Sequence, residues 1–273
     1  MKRLLRSVAL HLVLLGMAGL TLAPLLWMLF ASLRPTGMSA DLTLRPTADS
    51  LTLSNYGEIF TRLRLARALL NSTFVAAAVT AIALLFNSMA GYAFAKLRFR
   101  ARDPLFRILS AALVIPAQVS MLPLFLLIKE LGLVNTYAGV IIPGMASVFG
   151  IFLIRQYALS IPDSFLDAAR VDGAGELRIY WSIVLPLCKP ILVTLGIFTF
   201  LGTWNDFLWP LVVLSDGDMH TLPVALANLV GEHVQDVELM MAGAVLTVLP
   251  PLVTLLLLQR YYVAGIMAGG VKE

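Results

Sequence analysis

A chain of 273 residues with 59% hydrophobic and 13% charged side chains is no ordinary soluble domain, whose charged share is roughly twice as large. Its mean hydropathy of +0.88 is that of a membrane protein. The net charge of +4 sits mainly at the ends of apolar runs, which argues against a nucleic-acid partner, and the one cysteine, Cys188, rules out an intrachain disulfide framework or a Cys-rich metal site.

The first apolar run, 8–33, holds no Asp, Glu, Lys or Arg, and at about 1.5 Å per residue it can cross roughly 30 Å of hydrocarbon. Lys2, Arg3 and Arg6 precede it as in a signal peptide, but the run exceeds an h-region of about 7–15 residues and reads as a retained first span. The interval 34–67 reads as a polar outside loop with room for a short helix. It contains Pro35, Pro46 and the turn-forming Asp49-Ser50. Its five arginines run against the charge rule, offset in part by Asp41, Asp49 and Glu58.

The second span, 68–95, is rich in alanine, with Ser72 and Gly91 among the small residues that let helices approach closely in lipid. Lys96, Arg98, Arg100, Arg102 and Arg107 then surround Asp103, a cytoplasmic marker. A third span, 108–128, carries Pro116 and Pro123, which free backbone carbonyls that neighbouring helices or a water-lined path must satisfy. The fourth, 136–154, contains Pro143 and returns the chain to the cytoplasmic side.

The long polar interval 160–190 separates the two apolar halves. Pro162 and Asp163 suit the first turn of a short helix, with Phe165, Leu166 and Ala169 on one face and Asp163, Asp167 and Arg170 towards another; Gly173 stops it. A second helix is expected over 174–184, striped by Ile179, Tyr180, Ile183 and Val184, before Pro186 and Pro190 turn the chain into a fifth span, 191–214. The segment 215–238 reads as an acidic outside loop without Lys or Arg, and a sixth span, 239–258, leads into a short tail.

Of the 20 Lys and Arg, 14 fall on the side assigned to the cytoplasm and 6 outside. The expectation is an all-α integral membrane protein: one transmembrane domain, 1–273, with six spans and both termini cytoplasmic.

No G-x-x-x-x-G-K-[ST] loop occurs, so the chain has no phosphate cradle of its own. His11, His220 and His233 lack the i, i+4 spacing of a zinc pair, and no nucleophile–base arrangement is apparent, so no metal site and no enzymatic activity are expected. Asp206, beside Asn205, is the polar pair placed well inside an apolar run. Flanked by Trp204 and Trp209, it belongs either to a substrate path, the rings stacking on an apolar face of a solute, or to an interfacial aromatic belt with Asp206 reaching water.

Three stretches carry a family resemblance. Asp167-Ala168-Ala169, Asp172-Gly173-Ala174 and Ile183-Val184-Leu185-Pro186 resemble the "EAA" loop of bacterial ABC importer membrane subunits, with Asp167 where that family usually has glutamate. Thr203 to Pro210, TWNDFLWP, is similar to a segment of the binding-protein-dependent carbohydrate permeases of the maltose and glycerol-phosphate type, and the ending Gly265 to Lys272 is similar to theirs too. The resemblance implies that 160–190 forms a cytoplasmic coupling helix seated in an ATPase cleft, through Asp167, Ala168, Ala169, Asp172, Gly173, Ala174 and Pro186. It also implies a second permease subunit, a cytoplasmic ATPase dimer that holds the ATP and Mg, an extracytoplasmic solute-binding protein and a place in the bacterial cytoplasmic membrane. Two other readings are an ion-coupled secondary transporter, which needs an intramembrane relay of ionisable groups beyond Asp206, and a non-transporting membrane scaffold.

Overall fold

A computed structural model describes residues 2–37, 51–62, 65–232 and 236–270, and every regular element among them is helical. α1 (Lys2–Ser32) runs through Pro24 with Leu12, Leu15 and Leu20 exposed, a surface that lipid or another apolar helix must cover. α2 (Ser54–Arg62) is the short helix expected in the first loop. α3 (Leu65–Lys96) is unbroken, and small residues give it close neighbours: a Cβ on Gly91 would lie 2.6 Å from Cγ2 of Ile154.

The expected third span, 108–128, is instead a bent pair. α4 (Arg102–Ala111) continues as a 3-10 turn to Val114, and Ile115 is extended because a residue before proline is pushed out of the helical region. Pro116 then opens a 3-10 turn that leads into α5 (Met121–Glu130), and the two halves meet at 99°. The fourth stretch is interrupted as well. α6 (Tyr137–Ile141) passes through a 3-10 turn at Ile142–Gly144, where Pro143 lacks an N–H, and α7 (Val148–Leu159) runs past the expected end at 154.

The polar interval holds α8 (Asp163–Val171), α9 (Glu176–Ile179), a π-helical turn at Tyr180–Val184 and α10 (Leu185–Leu187). The second short helix thus starts later than the expected 174, since Gly175 is extended, and runs beyond 184. After a bend of 79° at Cys188, α11 (Lys189–Trp204) begins. The expected continuous span 191–214 breaks after Trp204 and resumes as α12 (Leu208–Val213). α13 (Leu222–Glu232) is helical within 215–238, where the sequence predicts a loop, and α14 (Val237–Gly270) covers the last expected span. The readings at Pro46, Asp49, Ser50, Val271 and Lys272 lie outside the described residues. Among the described residues, four helices are long and apolar enough to cross a membrane, or up to six if each bent pair is one span.

The chain divides into two compact units, residues 1–66 with 222–250, and 67–221 with 251–273. In the first, Asn55 Nδ2 donates to the carbonyls of Ser32 and Arg34 at 2.8 and 2.7 Å, pinning α2 to the end of α1. In the second, Tyr92, Ile154, Leu166, Ile179, Val184 and Leu195 form one buried cluster that gathers α3, α7, α8, α9 and α11.

Candidate functional site

Local sequence explains the form of α8. Pro162 holds the extended conformation that precedes a helix, Asp163 places a carboxylate on its first turn, and Gly173, at φ +82°, ends it in the left-handed region. Gly173 N donates to Arg170 O and Ala174 N to Ala169 O, the paired bonds of a Schellman stop. Leu166 is buried, and Ala169 and Ala174 pack on the chain's own core. The open face therefore consists of Phe165, Ala168, Val171, Asp172 and Gly173, with Val171 88% exposed, and Pro186 lines a shallow groove beside Phe165.

Charges fasten the helix from behind. Lys96 Nζ donates to Ile161 O at 2.6 Å and to Asp163 Oδ1 at 2.7 Å. Asp167 accepts from Arg170 at 2.8 Å, and Arg170 Nε donates to Glu176 Oε1 at 2.9 Å. Tyr92 completes the chain by donating to Glu176 Oε2 at 2.6 Å. Lys96 holds the exposed Asp163 carboxyl below the usual carboxylate range, and Glu176 raises Arg170 further above its ordinary value. Asp167, the residue at the family's usual glutamate, is thus engaged within its own helix.

Sequence reading missed Tyr92, Lys96 and Glu176 as a set. The i, i+4 spacing of Tyr92 and Lys96 on one helix face was the available signal, but Lys96 read only as a topology marker.

The second cluster lies at the break between α11 and α12. Asn205 Nδ2 donates to Leu201 O at 2.8 Å, closing α11, while Asp206 Oδ1 accepts from Trp209 N at 3.4 Å, opening α12. Trp204 is buried and stacks on Phe200 at 5.9 Å. Asp206 and Trp209 face a cavity of about 300 Å³ together with Gln118, Thr203, Pro143 and Val79, and Trp209 Nε1 donates to Gly139 O at 3.2 Å. Two of the four sequence candidates, Asp206 and Trp209, therefore line a cavity, whereas Trp204 and Asn205 hold the break that shapes it. Gln118 and Thr203 are additions; Pro116, which frees backbone carbonyls two residues from Gln118, was the trace of the first, and Thr203 opens the TWNDFLWP stretch. A larger, mostly apolar groove of about 580 Å³ along α11 lacks such convergent polar groups.

Broken apolar helices lining a small polar-edged cavity, joined to an exposed and charge-fastened helix in a polar loop, define a membrane transport subunit. The chain belongs to the family of binding-protein-dependent transport system inner membrane components, whose sequence pattern matches residues 87–267. It is 42% identical to the arabinooligosaccharides transport system permease protein AraQ of Halalkalibacterium halodurans, over 91% of this chain and 90% of that one. It is 37% identical to the sn-glycerol-3-phosphate transport system permease protein UgpE of Yersinia pestis, over 73% and 72%. Its fold is similar, at TM-score 0.79 and 27% identity over 93% and 95% of the chains, to the crystal structure of a bacterial ABC transporter involved in the import of the acidic polysaccharide alginate. The resemblance read from the central loop and the TWNDFLWP segment is borne out.

Proposed function

We propose that this chain is one of two permease subunits of an ATP-driven importer that moves a neutral carbohydrate across the bacterial cytoplasmic membrane. The cavity at the α11–α12 break carries this reading. It offers the Trp209 ring for a sugar's apolar face and Gln118, Thr203 and Asp206 for hydroxyls, the mixture of one aromatic surface and a few polar groups that suits a saccharide. Asp206 is its one charged lining residue among those described, and a carboxylate without a cation beside it repels an anionic ligand. A neutral oligosaccharide, as in the arabinooligosaccharide relative, therefore fits better than a phosphorylated or acidic one.

The same reading assigns six spans, counting each bent pair as one, with both termini cytoplasmic by the lysine and arginine distribution. α8 is then the coupling helix that presents Phe165, Ala168 and Val171 to a cytoplasmic ATPase dimer, which holds the ATP and Mg. A second permease subunit and an extracytoplasmic solute-binding protein complete the assembly. The test is uptake by the transporter assembled in proteoliposomes, comparing labelled arabinose oligosaccharides with glycerol phosphate and alginate oligosaccharides. Uptake of the neutral sugar that needs both ATP and the binding protein is expected. Uptake driven by an ion gradient without ATP, or of the anionic compounds alone, contradicts the proposal.

A further inference from the structure

α3 touches both candidate sites. Near its end, Lys96 reaches the start of α8 directly and Tyr92 reaches its other end through Glu176. Lys96, on a side chain only 6% exposed, holds Ile161 O and Asp163, while Tyr92 holds Glu176, which in turn holds Arg170. Val79, roughly 25 Å back along the same helix at about 1.5 Å per residue, forms part of the wall of the cavity that contains Asp206. Between these points α3 is locked to α7. Gly91 leaves no room for a Cβ against Ile154, and Asn87 Oδ1 accepts from Ser147 N at 2.9 Å.

The other walls of the cavity reach α8 less directly. The 102–130 segment is bent by 99°, the α6–α7 segment is interrupted at Pro143, and α11 is separated from α8 by the π-turn and the 79° bend. Among the described elements lining the cavity, α3 alone runs without a break from its wall to a hydrogen bond on the start of α8 and, through Glu176, to Arg170 near its end. A helix with its ladder intact transmits displacement as a unit, whereas breaks absorb it.

We propose that α3 carries motion between α8 and the cavity, and that Tyr92 and Lys96 are the positioning residues that clamp α8 to it. The proposal rests on α8 being the helix that docks the ATPase. The loss of one hydroxyl in Tyr92→Phe, or of one ammonium in Lys96→Met, should let α8 move without α3.

The experiment uses the whole transporter in proteoliposomes and reads three quantities: ATPase retained, ATP hydrolysis stimulated by the loaded binding protein, and sugar taken up per ATP. Tyr92→Phe and Lys96→Met should retain the ATPase and still hydrolyse ATP, while uptake per ATP falls about fivefold or more, the scale of an ordinary coupling between sites. Lys96→Arg, which keeps a donor and a positive charge, should recover part of the yield. Wild-type uptake per ATP in both variants overturns the proposal. If Lys96→Met does not assemble, Tyr92→Phe decides alone, and loss of ATPase binding in Tyr92→Phe also overturns it, because the hydroxyl is then a stability element. The docking reading is separable, since it fails if Val171→Asp, on the open face of α8, binds and couples the ATPase normally.

Discussion

The Tyr92 hydroxyl lies 2.6 Å from Glu176 Oε2, joining the end of a long apolar helix to the residue that opens the helix after α8. Glu176 spends its second oxygen on Arg170, and Arg170 spends a second donor on Asp167, so one phenol anchors a short file of charges. A file of this kind is well satisfied only while α8 and α3 keep their relative positions, which gives the loop a defined pose in spite of its exposure.

Gly173 is the conformational stop of that loop. Its φ of +82° is strained for any side chain, although a Cβ there would meet open space, so the cost of substitution is backbone strain rather than collision. Gly173→Val should destabilise the α8 pose by roughly 1 kcal/mol or more, and Gly173→Asn by less, because asparagine tolerates the left-handed region. Retention of the ATPase on the purified complex checks the order: wild type, then Asn, then Val.

Asp206 has two roles that substitution can separate. Its carboxylate caps α12 through Trp209 N and also faces the cavity. Asp206→Asn keeps an acceptor for the cap, so expression and assembly should match wild type while the apparent affinity for sugar changes. Asp206→Ala removes the cap as well, at a typical cost of about 0.5–2 kcal/mol, and should lower the thermal midpoint too. Unchanged uptake kinetics in Asp206→Asn would make the residue structural only.

Acidification should reach the Lys96–Asp163 pair in one direction. A carboxyl held below its unfolded value stabilises the fold above that unfolded value and loses the contribution as pH falls through the folded one. The difference in thermal midpoint between wild type and Asp163→Asn should therefore be constant between about pH 5 and 8 and shrink on acidification below about pH 4. A difference that instead grows in acid would show that Lys96 is not the dominant influence on this carboxyl.

Close packing of α3 on α7 predicts sensitivity at Gly91. A Cβ there would lie 2.6 Å from Ile154 Cγ2 and 3.0 Å from Arg155 N, and the backbone of α7 cannot yield as a flexible side chain would. Gly91→Val should cost on the order of 1–3 kcal/mol by overpacking, and Gly91→Ala less, read as the thermal midpoint of the detergent-solubilised subunit. A midpoint unchanged in both would mean that the two helices separate more easily than their geometry implies.

Apolar length and the glycine stop were legible in the chain because each is a local property. The runs 8–33 and 68–95 match α1 and α3 closely, and Gly173 ends α8 as its position suggested. Hydropathy could not see the breaks. The windows 108–128 and 191–214 are apolar on average, so the bend at Pro116 and the gap after Trp204 do not show in their mean hydropathy, although each break reorients the carbonyls near it. The same limit hid the cavity, whose polar lining comes from Gln118, Thr203 and Asp206 on segments far apart in sequence. The inward turn of Ala169 was also hidden, because the residue sits at the margin of the apolar face of α8 and only packing on the core around Tyr92 and Leu166 decides its side.

If α8 meets an ATPase, a cross-link between the two should form. Val171 is 88% exposed on the open face, and the native Cys188 is buried, so Val171→Cys supplies an accessible thiol that the native one does not rival. In the assembled transporter a short bifunctional thiol reagent should join Val171→Cys to a cysteine introduced in the ATPase cleft, with the yield changing when ATP is bound. Reaction of Val171→Cys with a membrane-impermeant reagent added outside intact cells, with no adduct to the ATPase, would place α8 on the outer face and remove it from any ATPase contact.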